Sequence, residues 1–343
     1  MMKNYTETIR ANRNLTFSEM EQAAEELFRE ETETAEIIEF LKALAQKGET
    51  ASEVAALASV MNRHAIRPDL PGTPCFDNCG TGGDGSGSFN ISTASAFVLA
   101  AAGVRVAKHG NRKVSSRAGS FDVLEALGIP NDLSIAETEG MMEETGMAFL
   151  FAQAYHPKLK RIGEIRRQIG SPTVFNLVGP LANPTTLSSQ YTGISRKEFV
   201  MDYAAVLSMA GRERAVVVCG AGGLDEASLA GRNTLVLADR GDLIPFSLTP
   251  EDAGLARAGL EEVKGGDAAE NAGIIRSVLE GKQGPKLDIV LLNAGIGLFA
   301  QGAVPTVREG VEAARECISS GKAAQQLSDV IAYCRQVGRK AVG

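Results

Sequence analysis

A glycine-rich segment with several hydroxyl side chains stands directly before a predicted helix. It reads GTGGDG over residues 80–85 and NIST over 90–93, and a helix is predicted over 94–102. Glycines let backbone N–H groups approach a ligand closely, and a helix N-terminus favours negative charge. The segment therefore predicts an anion site, with an ordinary flexible loop as the alternative, because loops commonly collect Gly and Ser.

The spacing of Gly80, Gly82 and Gly85 also satisfies GxGxxG, which raises the possibility of a dinucleotide site. A dinucleotide-binding βαβ unit needs an acidic residue about 20 positions further on. Between Gly85 and Phe121 the chain has no Asp or Glu. The sequence thus argues against a dinucleotide site.

That acid-free interval carries basic residues after a strand predicted over 104–107, namely Arg105, Lys108, His109, Arg112, Lys113 and Arg117. Ligands of open α/β sheets bind outside the carboxyl ends of strands. A basic loop beside the glycine-rich segment predicts a site for a polyanion. The alternatives are a solvated basic loop and, for His109, a hydrogen-bonded structural histidine.

Two further pairs of charged residues could bind ligands: an acidic pair could bind the same polyanion through Mg²⁺, and an arginine pair could supply a residue that binds a carboxylate. Asp225 and Glu226 follow a predicted strand and a glycine-rich turn, a position that suits Mg²⁺ held by carboxylates and phosphates, although an acidic pair is usually surface. Arg166 and Arg167 lie in a predicted helix and point about 100° apart, so at most one faces a ligand. A guanidinium recognises a planar carboxylate well, but the residues alone favour surface positions for both.

The elements that must position these residues are of two kinds, helices alone in the first part of the chain and strands alternating with helices after it. Helices are predicted from Thr16, which forms a capping box with Glu19, through a second helix ending near Gly48 and a third over 50–67. After the breaks at 68–74, strands are predicted at 104–107, 147–151, 215–219, 234–238 and 287–293, with none in 175–209. This alternation predicts an α/β fold: a helical domain over 1–70, discontinuous and joined by helices within 176–210, and a larger α/β domain over 74–343 with a mostly parallel sheet.

Composition narrows the class of protein. The 343 residues are 44% hydrophobic and carry a net charge of −7, which excludes disorder for most of the chain and disfavours binding to nucleic acid or an anionic membrane. Five scattered cysteines form neither a disulfide framework nor a zinc motif. With a polar N-terminus and only short apolar runs, we expect a cytoplasmic protein.

Five motifs, in the family's order, resemble those of the anthranilate phosphoribosyltransferase family of tryptophan biosynthesis, and the resemblance covers nearly the whole chain. They are GTGGD at 80–84, NIST at 90–93, KHGNR at 108–112, Phe175-Asn176 with GPLANP at 179–184, and LDE at 224–226. The KHGN motif also resembles pyrimidine nucleoside phosphorylases, which share the fold. The resemblance implies transfer of phosphoribose from 5-phosphoribosyl 1-diphosphate (PRPP) to the amine of anthranilate. The products would be N-(5-phosphoribosyl)anthranilate and pyrophosphate, in the second step from chorismate, with Mg²⁺ and a homodimer joined through the helical domains.

The resemblance also assigns site residues. The positions that match PRPP-binding residues are Gly80, Thr81, Gly82, Gly83, Asp84, Asn90, Ser92, Thr93, Lys108 and Ser120. Those that match anthranilate-binding residues are Gly80, Asn111, His156, Arg166 and Gly179, and those that match the Mg²⁺ ligands are Ser92, Asp225 and Glu226. Catalysis would rest on Lys108, Asp225 and Glu226, which stabilise the departing pyrophosphate.

An aromatic amine is neutral at pH 7, so the reaction requires no strong base, and His109 is a candidate only for accepting the late proton. Two alternatives remain at this point. One is an enzyme similar to pyrimidine nucleoside phosphorylases, and the other is a nucleic-acid-binding relative of the same fold that uses the basic residues between Arg105 and Arg117.

Overall fold

Four helices open the chain in the computed structural model, which describes residues 1–112 and 118–340. They are α1 (Met2–Arg10), α2 (Phe17–Leu27), α3 (Thr34–Lys47) and α4 (Ala51–Arg63). Both predicted capping boxes are confirmed, since Thr16 and Thr50 each exchange hydrogen bonds with the Glu three residues later. The fourth helix ends at Arg63 rather than at the predicted residue 67, because the proline-containing connection begins there.

The strands form one sheet in the described part of the chain. In chain order they are β1 (Cys75–Asp77), β2 (Val106–Gly110), β3 (Met147–Phe151), β4 (Leu187–Gly193), β5 (Arg214–Cys219), β6 (Asn233–Asp239) and β7 (Asp242–Leu248). Their order across the sheet is β3-β2-β1-β4-β5-β6-β7. The first five pair in parallel and the last two are antiparallel, so the predicted α/β fold with a mostly parallel sheet is confirmed.

The remaining helices connect and cover these strands. They are α5 (Ile91–Ala101), α6 (Ser120–Leu127), α7 (Ile135–Thr145), α8 (Ala152–Tyr155), α9 (Leu159–Ile169), α10 (Val174–Val178), α11 (Val200–Met209), α12 (Ala268–Leu279), α13 (Pro285–Gln301), α14 (Val307–Ser319) and α15 (Lys322–Lys340). Within the described ranges, no helix combines the length and the apolar character needed to cross a bilayer.

Two strand predictions are wrong. The predicted strand over 287–293 lies inside α13, whose residues from Ile289 to Leu298 are buried all round, and a continuous apolar run does not distinguish a buried helix from a buried strand. The segment predicted to lack strands contains β4, whose sequence LSSQYTG is too polar to show the usual pattern. β4 is nevertheless central, because it pairs with both β1 and β5.

The sheet separates two hydrophobic cores. Along β5, Val216 and Val218 belong to the core with α5 and α13, whereas Val217 and Cys219 belong to the core with the N-terminal helices. This alternation follows from the two-residue period of a strand that is covered on both faces. The second core also includes residues of α10 and α11, and the Asn62 amide of α4 donates to the carbonyl of Leu181 at 2.9 Å.

Candidate active site

The predicted site residues lie where the parallel strands end. Parallel strands place their carboxyl ends at one edge of the sheet, so the segments after β1, β2, β4 and β5 meet there. The glycine-rich segment after β1 is tied to the end of β4, since the Thr81 amide donates to the Gly193 carbonyl at 2.9 Å. The Asp225–Glu226 pair follows β5 and faces the same segment.

The glycine-rich segment is exposed and has a backbone conformation that favours glycine. Gly82, Gly83 and Gly85 have φ values of +70°, +79° and +71°, a region that side-chain-bearing residues rarely adopt. All three are exposed, and a Cβ atom added at Gly82 would meet no atom within 4 Å. At Gly80, by contrast, a Cβ atom would come within 2.9 Å of the Asp225 carboxylate, so glycine is required for that close approach.

Three carboxylates converge beside this segment. The Gly82 amide donates to Asp225 Oδ2 at 2.5 Å, the Asp225 amide donates to Asp84 Oδ2 at 3.3 Å, and the Ser92 amide donates to Glu226 Oε1 at 3.1 Å. Burial, and then the neighbouring Asp84 and Glu226 charges, raise the pKa of Asp225 well above its ordinary value. Burial also raises the pKa of Glu226 to about 7, against the opposing charge of Lys108. Such a cluster is stabilised by a cation.

The donor set fits Mg²⁺ only in part. Carboxylate and hydroxyl oxygens are the ligands that Mg²⁺ prefers, and Ser92, Asp225 and Glu226 supply them in one place. Across residues 1–112 and 118–340, however, no three acidic, histidine or cysteine side chains are arranged to enclose an ion. A bound Mg²⁺ would therefore complete its shell with phosphate oxygens and water, as it usually does in phosphate-binding enzymes.

Lys108 lies at the base of this cluster. Its ammonium donates to Ser92 Oγ at 3.2 Å and to the side-chain and backbone oxygens of Asn78 at 3.3 and 3.4 Å. All three acceptors are uncharged, so the positive charge remains available to an anion at the loop. Lys108 itself is 2% exposed, which shields that charge from water.

The strand predicted over 104–107 lies at Val106–Gly110 instead, so Lys108 and His109 belong to β2 rather than to the predicted loop, and both are buried. Arg105 donates to the Thr73 carbonyl, and Arg112 forms ion pairs with Asp122 and Glu125. Lys113 and Arg117 lie outside the described residues. Among the basic side chains that are described in this interval, Lys108 lies at the carboxylate cluster.

Two neutral histidines form an adjacent group. His109 Nδ1 lies 3.1 Å from the Gly179 carbonyl and His156 Nε2 lies 2.7 Å from the Ala182 carbonyl, so both nitrogens carry hydrogen. Burial lowers the pKa of His109 to about 3 and lowers that of His156. His109 Nε2 is thus a bare acceptor, buried and without a hydrogen-bond partner among the described residues. The two rings meet edge to face at 5.7 Å.

The two arginines of α9 differ in surroundings. Arg166 is partly buried, with its guanidinium 6.0 Å from the centre of the Phe175 ring, whereas Arg167 is exposed. Burial lowers the pKa of Arg166, which stays charged at any physiological pH. Arg166 Nη2 donates to Asn176 Oδ1 at 3.2 Å, and a Cβ atom at Gly83 would lie 3.7 Å from the Asn176 amide nitrogen. Asn176 therefore lies close to both Arg166 and the glycine-rich segment.

The other predicted residues lie at the edge of this arrangement. Asn90 donates to the Ala118 carbonyl at 3.4 Å, and Ser120 donates to the Asn111 carbonyl at 3.2 Å, so these residues flank the part of the chain that is not described. Asn111 is exposed. Thr93 is fully buried, and in this conformation its hydroxyl has no surface to offer a ligand, contrary to its predicted role as a donor at the helix start.

Three residues of the site could not be recognised from their own residue types and spacing. Asn78 positions both Lys108 and Ser92, since its amide donates to the Ser92 carbonyl at 2.8 Å. Asp77 and Asn183 are buried and joined at 2.9 Å, and Asn183 also donates to the Ala107 carbonyl. Among the three, Asn78 alone stands close to a predicted motif, two residues before the glycine-rich segment, and this position could have indicated a role in the site.

Two family models match the chain. Residues 3–65 match the helical bundle domain of a glycosyl transferase family, and residues 72–324 match its α/β domain. Anthranilate phosphoribosyltransferase of Exiguobacterium sibiricum is 56% identical over 318 residues, which cover 92% of this chain and 94% of that protein.

Solved structures agree. The anthranilate phosphoribosyltransferase of Thermus thermophilus superimposes with a TM-score of 0.91 at 39% identity, covering 96% of this chain and 99% of that one. The Saccharomyces cerevisiae enzyme, solved in complex with PRPP and Mg, superimposes with a TM-score of 0.88 at 28% identity, covering 98% of each chain. The chain belongs to the anthranilate phosphoribosyltransferase family of glycosyl transferases.

Proposed function

We propose that this protein transfers the phosphoribosyl group of PRPP to the amine of anthranilate and releases pyrophosphate. The observation that carries the proposal is the junction at Asn176, which places an anion-binding loop with its carboxylates directly beside a partly buried guanidinium. One half suits a diphosphate and the other a planar carboxylate. The name shared by the relatives supplies the two substrates, and the reaction would be the second step from chorismate to tryptophan.

The donor half would hold PRPP at the exposed loop of Gly82, Gly83 and Gly85, where the Gly82 amide already donates to Asp225, and through the charge of Lys108. Ser92, Asp225 and Glu226 would hold Mg²⁺, which when bound supplies positive charge to the leaving diphosphate. Gly80, Thr81, Asp84, Asn90 and Ser120 complete the proposed PRPP site, whereas Thr93 is left out because its hydroxyl is buried. Because the C1–O bond breaks as negative charge grows on the diphosphate, fixed cations there stabilise the transition state more than bound substrate.

The acceptor half would hold anthranilate by its carboxylate on Arg166, with Asn111, His156, Gly80 and Gly179 around the ring. This orientation directs the neutral amine toward C1 of the ribose. As the new C–N bond forms, the amine becomes acidic and loses a proton. His109 Nε2 is unprotonated, but it is buried in this conformation and offers the amine no surface, so we propose that water accepts the proton.

Assembly and location belong to the same proposal. We propose a homodimer joined through a helical domain that consists of residues 1–70 and helices within 176–210. Phe17 at the start of α2 is 37% exposed and is available for such a contact. We also place the protein in the cytoplasm, where its five free cysteines are compatible with reducing conditions. Mass measured by light scattering tests the dimer.

The two alternative functions are not favoured, because the relatives reported above are anthranilate phosphoribosyltransferases. Nor do the basic side chains that the structure describes between Arg105 and Arg112 form the continuous strip that nucleic acid would need. Arg112 is paired with acidic neighbours and Lys108 is buried.

The test is a fluorescence assay of anthranilate consumption by the purified protein. We expect consumption only when PRPP and Mg²⁺ are both present, with one pyrophosphate released for each anthranilate consumed. Phosphorolysis of uridine or thymidine without added metal is the counter-assay. Phosphorolysis in the absence of anthranilate consumption would overturn the proposal in favour of a nucleoside phosphorylase.

A further inference from the structure

Asn176 lies between Arg166 and the glycine-rich segment. Its Oδ1 accepts from Arg166 Nη2 at 3.2 Å and from the Thr173 amide at 3.1 Å. Both partners are obligatory donors, so the oxygen must face them and the NH₂ group must face the glycine-rich segment. A Cβ atom added at Gly83 would lie 3.7 Å from the amide nitrogen, so the NH₂ group lies close to the loop.

The partner of Arg166 is therefore uncharged. The acidic side chains of the site lie across the glycine-rich segment, and the interactions found for the Arg166 guanidinium are with Asn176 and the Phe175 ring. A neutral acceptor orients the guanidinium through one N–H and leaves its charge available. A carboxylate at the same place would neutralise that charge and compete with an incoming carboxylate.

We infer that Asn176 is a positioning and specificity-determining residue. It holds Arg166 toward the acceptor site while keeping the guanidinium charge free for the carboxylate of the acceptor. The inference rests on the proposed function and deepens it, because it assigns the preference for an acidic aromatic amine to the Arg166–Asn176 pair rather than to Arg166 alone.

The experiment compares anthranilate with 2-aminobenzamide, its uncharged carboxamide analogue, at a fixed PRPP concentration. The ratio of the two kcat/KM values isolates recognition of the carboxylate, since any effect on PRPP is common to both acceptors. We expect Asn176→Asp to lower this ratio at least tenfold. A carboxylate at this position still accepts from Thr173, so a purely structural role predicts an unchanged ratio and an unchanged melting temperature.

Asn176→Ala provides the second test. It should lower the ratio about three- to tenfold in the wild-type background and less than twofold in an Arg166→Ala background, because a positioning residue acts only through its partner. Arg167→Ala is the matched control and should leave the ratio unchanged.

Three results would overturn the inference: a ratio within twofold of wild type in folded Asn176→Asp, equal effects of Asn176→Ala in both backgrounds, or loss of folded protein in both Asn176 variants. If only one variant fails to fold, the other decides. Failure of the proposed function itself is a separate result, because the wild-type protein would then consume no anthranilate.

Discussion

Removing the guanidinium of Arg166 should damage recognition of the acceptor, whereas removing that of Arg167 should not. The two residues are neighbours on α9, but Arg166 is partly buried against Phe175 and Asn176 while Arg167 is exposed. Arg166→Ala and Arg167→Ala delete the same number of atoms and the same charge from the same helix turn. The pair therefore separates the local role of Arg166 from any general effect of charge.

The size of the effect follows from the contact that is lost. A hydrogen bond to a charged group contributes about 1.5 to 3 kcal/mol, and partial burial keeps this one from being screened by water. At about 1.4 kcal/mol per factor of ten, kcat/KM for anthranilate should fall roughly 10- to 150-fold in Arg166→Ala. An exposed arginine such as Arg167 should change it by less than about twofold, since surface substitutions stay within about 0.5 kcal/mol.

The assay is steady-state anthranilate consumption, with each substrate varied at saturating levels of the other. The loss should appear mainly in KM for anthranilate, with KM for PRPP changed little, and circular dichroism should show a folded protein. Equal losses in the two variants would refute the assignment of Arg166, rather than Arg167, as the residue that faces the acceptor. A loss confined to KM for PRPP would move Arg166 to the donor site.

Three further predictions concern the donor half. Gly82→Val should abolish PRPP binding, measured by isothermal titration, while the protein stays folded. A β-branched residue cannot adopt φ +70° without strain, and its side chain would block the approach of PRPP to the backbone. Normal affinity would remove the loop from the site. Asp225→Asn combined with Glu226→Gln should lower kcat more than it weakens PRPP binding, and added Mg²⁺ should restore part of the lost kcat. If kcat depends on Mg²⁺ concentration in the same way in mutant and wild type, the assignment of the metal site is wrong. The pKa of Glu226 is raised to about 7, so the carboxyl is largely protonated at pH 6 and ionised at pH 8, and a proton must leave before Mg²⁺ binds. The half-saturating Mg²⁺ concentration should therefore rise roughly tenfold from pH 8 to pH 6, and a pH-independent value would contradict this.

Local patterns predicted the parts of the fold that local physics determines. The capping boxes at Thr16 and Thr50 fix two helix starts by short-range hydrogen bonds, and the sequence shows them directly. The run 287–293 was misassigned because burial on all sides removes the periodicity that distinguishes a helix from a strand. β4 was missed because its place between β1 and β5 comes from pairing with distant segments rather than from its own composition.

The same division applies to the site. The glycine-rich segment and the Asp225–Glu226 pair carry their chemistry in adjacent residues, so both could be recognised as candidates. The role of Asn176 could not, because it depends on the hydrogen bond to Arg166 and on the position of Asn176 beside Gly83, which only the folded chain provides. The sequence predicts a loop at Lys108, whereas the structure has it near the end of a buried strand. This position keeps the Lys108 charge in a drier environment and directs it at the carboxylate cluster.

The most direct test of the central claim is a crystal structure of the protein with PRPP, Mg²⁺ and a non-reactive anthranilate analogue. We expect the diphosphate at the loop of residues 82–85, the metal on Asp225 and Glu226, and the analogue's carboxylate within hydrogen-bond distance of Arg166. A diphosphate bound away from the glycine-rich segment, or an analogue whose carboxylate does not contact Arg166, would contradict it.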